Sequence, residues 1–520
     1  MRSTPTSTAL GLIVASLTAC STSPEPNANM TASGGPTSNA TGTGTAAGTS
    51  TTTHGAGTLG TASATAAGGT GTSGGGTLGS GGATVTGTTS VVGSTAAATS
   101  AGSSTTDGTG AGGGQVSGTG GASSTGTSSA GTSSAGTTTG GPLPEVYGVE
   151  DTGADCSVTT TFPEFSALPS IPEFPDPFLM ESGERITTRA DWRCRRAEIS
   201  AQIQQWELGT KPAPSEGEVS ATFSGNTLTV NVQVGSESIT LTTTIDLPAS
   251  GSAPYPAVIR MAGSGVPIGG AVASMNFSDG QLAGQFPTRG DGPFWDLFPD
   301  STVGAYAGWA WGVSRIIDGL ELTAEQNQID TTRLAVTGCS YAGKMALWAG
   351  AFDERIALTI PQESGGGGEA AWRFMANQPE TEHLEAAQGT GWYSERLEQF
   401  GNADAPKLPF DQHSLVAMIA PRAVLAIQNT AIERLGSEAG GASMRAAAEV
   451  YEALGIPERI GFSQAPASGH CQFPASQQPD VDAFVSRFLL GDESIDTNIM
   501  KDAYATDMAQ WIPWETPTLP

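Results

Sequence analysis

Val336-Thr337-Gly338-Cys339-Ser340-Tyr341-Ala342-Gly343-Lys344 sets a serine between two runs of different character. Arg333-Leu334-Ala335-Val336-Thr337 reads as a buried strand and Tyr341 to Phe352 as a helix, so Ser340 falls on the turn joining them. A serine there, with glycine two positions earlier, is the nucleophile-elbow pattern: a sharp strand-to-helix turn that exposes the hydroxyl and needs small flanking residues. Gly338 fills the first small position; Ala342 stands at the second, with Gly343 one place later. The start of the following helix also offers backbone N–H groups to a developing oxyanion.

A nucleophilic serine needs a base, and the chain has four histidines. His54 lies in a Thr/Ser/Gly/Ala tract, and His383 and His413 sit in loop or helix-start contexts. His470 follows the last strand, Ile460-Gly461-Phe462-Ser463, where a fold with the order serine, acid, histidine places its base. Ser340 follows Cys339, and His470 precedes Cys471. If those cysteines are bridged, their Cα atoms lie within about 7 Å of one another, and hydroxyl and imidazole meet across ~130 residues of chain. A hydroxyl and a base held adjacent are the first two parts of an acyl-transfer site. Two acids compete for the third part. Glu363 comes just after the strand Ile356-Ala357-Leu358-Thr359-Ile360, and Glu433 after the strand Ala423-Val424-Leu425-Ala426-Ile427. Either can orient an imidazole, and the residues alone leave the choice open.

Working outward, Thr227–Val232 and Ile239–Ile245 alternate apolar and polar residues between Gly, Asn, Ser and Pro, as half-buried antiparallel strands do. Pro256–Met261 is a more continuous apolar run, followed by the loop Gly263-Ser264-Gly265. Trp311 to Leu322, Ser443 to Leu454 and Val481 to Leu490 have helical spacing. Strands alternating with helices point to a mostly parallel sheet covered on both faces. The expected fold is an α/β three-layer sandwich, with antiparallel strands at its N-terminal side.

The chain has 520 residues, but they are unevenly spent. From Thr31 to Gly141 it is almost entirely Thr, Ser, Gly and Ala. Such a tract cannot bury enough apolar surface to offset its ordering entropy. As a flexible coil of roughly 110 residues it spans about 60 Å end to end. Before it, Ala9 to Ser16 is an apolar run too short for a permanent membrane helix. It ends in Leu17-Thr18-Ala19-Cys20, which resembles the lipobox of bacterial lipoproteins. The expected organisation is a signal peptide over 1–20, a tether over 21–142 and one enzyme domain over 143–520. The domain is expected outside the cytoplasm, lipid-anchored through Cys20 at a bacterial cell surface or envelope, or else secreted. Removing Cys20 leaves four cysteines, an even set that in an oxidising compartment reads as two disulfides. No CxxC or HxxxH spacing suggests a metal site, and no cofactor is expected. The net charge of −28 falls on the domain, because the tether has few acidic residues. That balance disfavours a nucleic-acid partner, whose phosphates need clustered Lys and Arg.

Several longer motifs then agree. Ala335 to Ser340 with Gly343-Lys344, Arg355 to Gly365, Trp309 to Asp318 and Gly469-His470-Cys471-Gln472-Phe473-Pro474 resemble the glucuronoyl esterases of carbohydrate esterase family fifteen. The resemblance also takes in Pro175 to Leu179 and Cys194 to Ile199, and runs from Cys156 to Gly491. It implies an α/β-hydrolase that cleaves the ester between (4-O-methyl-)glucuronic acid on xylan and a lignin alcohol, with Ser340 as nucleophile, His470 as base and Glu363 as acid. It further implies that Lys344 binds sugar hydroxyls and that the bridges are Cys156–Cys194 and Cys339–Cys471. A third bridge, common in fungal members, would need cysteines near Ala371 and Ser443, and both are missing together. Three departures bear on the substrate. Tyr341 stands where the family has an oxyanion-binding Arg, leaving its hydroxyl or the backbone N–H groups near Tyr341 and Gly263 for that task. Arg434 replaces a sugar-stacking Trp, and the segment Gln388 to Tyr393 matches the family's sugar-binding Gln and Glu only loosely. Arg434 and Gln388 are the substrate-binding candidates there. A monomer acting on glucuronoxylan–lignin esters is the expectation; another carbohydrate esterase, or an impaired glycan-binding lipoprotein, is the rival.

Overall fold

The computed structural model describes residues 144–158 and 161–520. The expected signal peptide, tether and Cys20 lie outside them. Ten strands form one mixed sheet in the order β1-β2-β3-β5-β4-β6-β7-β8-β9-β10. β1 (Val219–Ser224), β2 (Thr227–Val234) and β3 (Glu237–Asp246) make an antiparallel meander, and β3 joins β5 (Ala273–Phe277) antiparallel. From β5 inward every pairing is parallel, through β4 (Tyr255–Met261), β6 (Ile329–Cys339), β7 (Ile356–Gln362), β8 (Ala423–Asn429), β9 (Ile460–Ala465) and β10 (Met500–Lys501).

The two halves follow from their patterns. β3 buries Ile239, Leu241, Thr243 and Ile245 and exposes the residues between, so one face stays wet. β8 is buried throughout. Its Ala423, Leu425 and Ile427 pack on one side with Phe484 and Phe488, while Val424 and Ala426 join the opposite core. A strand covered on both faces has no polar side to alternate with, which is why its sequence reads as a continuous run. The helix Gln478–Phe488 covers the first face. The helices Ala305–Leu322, Tyr341–Phe352 and Ser437–Ala453 cover the second. This is the expected hydrolase sandwich.

Differences lie at the ends and in the polar elements. The helix expected from Ser443 begins at Ser437, because Gly440 and Gly441 hide its first turns from a periodicity argument. They leave room for two side-chain amides: a Cβ at Gly440 would stand 2.1 Å from the Gln428 side chain, and one at Gly441 would stand 2.7 Å from Gln464. The helix Arg189–Ile203 has no clear apolar stripe because it turns charges inward; Arg195 and Glu198 are both buried and paired at 3.0 Å. A capping box from Thr188 and Asp191 starts it. Among the described residues no helix is long and apolar enough to cross a membrane.

Candidate active site

β6 ends at Cys339 and the next helix starts at Tyr341, so Ser340 alone makes the turn, at φ 62° and ψ −125°. A positive φ costs a residue with a Cβ roughly 1–3 kcal/mol and persists only where its surroundings enforce it. Here the Ser340 N–H donates to the Gln362 carbonyl at 2.9 Å, and the Ser340 carbonyl accepts from the Lys344 N–H at 3.0 Å. The two glycines do separate work. A Cβ at Gly338 would lie 2.1 Å from the Ala342 carbonyl oxygen, and one at Gly343 would lie 2.5 Å from that of Gln362. The second small position is therefore shifted by one because Gly343 packs on the neighbouring strand, β7.

His470 lies beyond β9. Cys339 and Cys471 are disulfide-bonded with Cα atoms 5.8 Å apart, across 132 residues of sequence. Glu363 follows β7 directly, at φ 49° and 2 % exposed. Its N–H donates to the Ile427 carbonyl at 2.7 Å; its Oε2 accepts the Cys471 N–H at 2.9 Å and its Oε1 the Gln362 side-chain amide at 3.3 Å. Side-chain atoms of Glu363, His470, Cys339 and Cys471 all lie within 4.8 Å of one another. This cluster is unlike a metal centre. Both sulfurs are spent in the bridge, leaving one carboxylate and one imidazole where a catalytic zinc needs three protein ligands. What a serine, an imidazole and a buried carboxylate in one corner can do is acyl transfer. Glu433 is exposed, on a short 3₁₀ turn after β8.

The other two histidines among the described residues have structural partners. His383 caps the short helix Leu384–Ala387. His413 is buried, hydrogen-bonds the Pro175 carbonyl and stacks on Phe174; burial pulls it down to about 4. Cys156 and Cys194 form the second bridge.

A second corner adjoins the first. Lys344, 2 % exposed, donates to Glu382 Oε2 at 2.8 Å and lies 5.8 Å from the centre of the Trp392 ring. Arg434 pairs with Glu382 Oε1 at 3.1 Å, its side chain 63 % exposed. Tyr341 stacks on Trp392, and its hydroxyl hydrogen-bonds Asp279 Oδ2 at 3.3 Å. Burial, then the Asp279 carboxylate, raises that phenol well above its ordinary value. The hydroxyl is therefore engaged away from an oxyanion, whereas the Tyr341 N–H opens a helix and has no partner within it. Of the other N–H groups expected to help, that of Gly263 makes a long bond of 3.4 Å to the Arg260 carbonyl. Ser264 fastens its loop to the elbow, its hydroxyl accepting the Cys339 N–H at 3.1 Å.

The chain as a whole has counterparts among known proteins. The chain matches a family model described as glucuronyl esterase, fungi, over residues 230–455. It is 44% identical over 378 residues to a 4-O-methyl-glucuronoyl methylesterase of Hypocrea jecorina, covering 71% of this chain and 81% of that relative. The chain belongs to the glucuronoyl esterases. The solved glucuronoyl esterase catalytic domain from Hypocrea jecorina superposes with a TM-score of 0.66 at 43% identity, covering 69% of this chain and all of that one (100%). A structure of the Sporotrichum thermophile glucuronoyl esterase holds methyl 4-O-methyl-beta-D-glucopyranuronate in a serine-to-alanine variant. It matches at 40% identity and TM-score 0.66 over 70% of this chain and 100% of that one. A family 15 member from Caldicellulosiruptor kristjansonii is 30% identical, with a TM-score of 0.57 over 67% of this chain and 98% of its own.

Against that family, Gln388 is placed apart from the Lys344 corner in its bonding: its amide donates to the Phe400 carbonyl at 2.7 Å. The carboxylate that joins Lys344 to Arg434 is Glu382, which sequence reasoning passed over. A signal existed. Lys344 is the one charge in the helix Tyr341–Phe352, and a lysine buried on so apolar a helix requires an anion from elsewhere. Nothing local says which acid supplies it.

Proposed function

We propose that this chain is a serine esterase that hydrolyses esters of glucuronic acid, with Ser340 as nucleophile, His470 as general base and Glu363 as the acid that orients it. The observation that carries the reading is the single corner in which the Glu363 carboxylate and the His470 ring lie together beside the bridge to Cys339, the residue before Ser340. His470 takes the Ser340 proton as the hydroxyl attacks the uronoyl carbonyl. The Tyr341 N–H, at the helix start, faces the charge that builds on the carbonyl oxygen. His470 then returns the proton to the departing alcohol, and water activated by the same ring releases the glucuronate. Lys344 and Glu382 offer the sugar hydroxyls a donor and an acceptor, with Arg434 at the rim. Relatives named as 4-O-methyl-glucuronoyl methylesterases, and the bound methyl glucuronate of the Sporotrichum enzyme, support this substrate class. The natural ester is that of glucuronoxylan with lignin alcohols. The working unit is a monomeric domain over 143–520, exported by a signal over 1–20, tethered by 21–142 and anchored at Cys20; its two disulfides suit an oxidising compartment.

The test compares methyl and benzyl glucuronate with p-nitrophenyl acetate. Glucuronate esters should be the strongly preferred substrates, and Ser340→Ala should cut kcat by about 10⁴–10⁶-fold in a folded protein. Acetate as the better substrate, or an active Ser340→Ala protein, would overturn the proposal.

A further inference from the structure

The base sits on an exposed loop, and the loop is held at both sides by different means. After His470, Cys471 is bonded to Cys339 and donates its N–H to Glu363. Before His470, the segment Pro466–Gly469 leaves β9 and meets Asn429, the last residue of β8 and 2 % exposed. Asn429 Oδ1 accepts the N–H groups of Ala431 at 3.0 Å and Ala467 at 2.9 Å, and Nδ2 donates to the Gly469 carbonyl at 3.2 Å. Two donors on one side and a carbonyl on the other fix which way the amide points. The Asn429 carbonyl in turn accepts the Ser437 hydroxyl at 3.0 Å, which anchors it to the start of the helix Ser437–Ala453.

We propose that Asn429 is a positioning residue for His470: it clamps the entering half of the histidine's loop to the sheet as the bridge and Glu363 clamp the leaving half. This rests on the reading of His470 as the base. The strand order explains the arrangement. Glu363 directly follows β7 and Asn429 ends β8, the next strand outward, so the loop from β9 must cross both strand ends to bring His470 to β6. At the far strand end an amide can serve an N–H and a carbonyl of that loop at once. A carboxylate would serve the first and repel the second. A misplacement of about 1 Å at a base can cost about 100-fold in rate, so the clamp acts on turnover more than on binding.

The experiment uses the full chain with methyl and benzyl glucuronate, and compares Asn429→Ala, the near-isosteric Asn429→Asp, and Ser340→Ala in parallel. Both Asn429 variants should lose about 10- to 100-fold in kcat with KM within about threefold, while near-UV circular dichroism shows a folded domain. Asn429→Asp keeps both acceptor bonds and loses the donation to Gly469, so it remains informative if the alanine variant does not fold. Unchanged kcat, a rise in KM alone, or a loss of kcat no larger than the loss of folded protein would each overturn the assignment. Retained activity in Ser340→Ala would instead remove the reading beneath it, whatever Asn429 does.

Discussion

Two corners of this molecule adjoin and are built in opposite ways. The Ser340–Glu363–His470 corner is held by backbone and by a covalent bond: the elbow between β6 and its helix, the N–H from Cys471 to Glu363, and the Cys339–Cys471 bridge. The Lys344–Glu382–Arg434 corner is held by long side chains meeting in ion pairs, one partner largely in solvent. Long side chains re-aim or are exchanged without moving the main chain, whereas the first corner cannot change without refolding its strand ends. Of the three departures expected from the family, only Arg434 falls on this second corner; Tyr341 opens the helix of the elbow and Gln388 is bonded to the Phe400 carbonyl.

The largest effect that would break this division is at the proposed acid. Glu363→Gln should lower kcat by about 10³–10⁴-fold, as loss of a triad acid does, while Glu433→Gln stays within about twofold. Equal losses in steady-state assays would mean the acid is misassigned. The sugar corner should answer in the other parameter. Glu382→Gln leaves Lys344 buried without its anion, and we expect KM for methyl glucuronate to rise about tenfold with kcat within about threefold; Arg434→Ala, at the exposed rim, should shift KM by about threefold or less. A fall in kcat from Glu382→Gln matching that from Glu363→Gln would merge the two corners into one.

The smallest effect concerns stability. Burial pushes Glu207 up to about 8 and Glu369 up to about 7 from an ordinary value of 4.5, and pulls His413 down to about 4 from 6.5. The raised carboxyls stabilise fully below about pH 4.5 and lose that contribution as pH climbs towards 7 and 8. The depressed imidazole contributes above about pH 6.5 and loses it as pH falls towards 4. Between about pH 4.5 and 6.5 two carboxyls lose stabilisation while one imidazole gains it, so melting temperature should decline as pH rises through this range and on to 8. Glu207→Gln keeps an acceptor for the Trp372 indole N–H and should flatten the alkaline decline. A parallel decline in parent and variant would show that Glu207 is not its source.

Legibility in the sequence follows the same physics. The central strands and the elbow could be read because burial on both faces leaves an unbroken apolar signature, and Tyr341–Phe352 emerged with both its ends. β1, with its Ser and Thr, and the five-residue β5 carry no such signature. For the proposed site, the pairing of Ser340 with His470 could be read from the cysteines beside them, which the structure joins. Glu363 needed the family resemblance, because an acid after either strand reads alike until the crossing of chain ends is known. Glu382 and Asn429 were illegible for a different reason: each acts through a tertiary partner far away in sequence, on a loop or strand end with no pattern of its own.

The bridge from Cys339 to Cys471 has one more consequence. A newly synthesised polypeptide whose sulfurs are still reduced carries Ser340 and His470 on segments that no disulfide joins, with hydrogen bonds to Glu363 and Asn429 left to hold the histidine's loop. On the roles proposed for these residues, hydrolytic competence should ripen with oxidation, after translation.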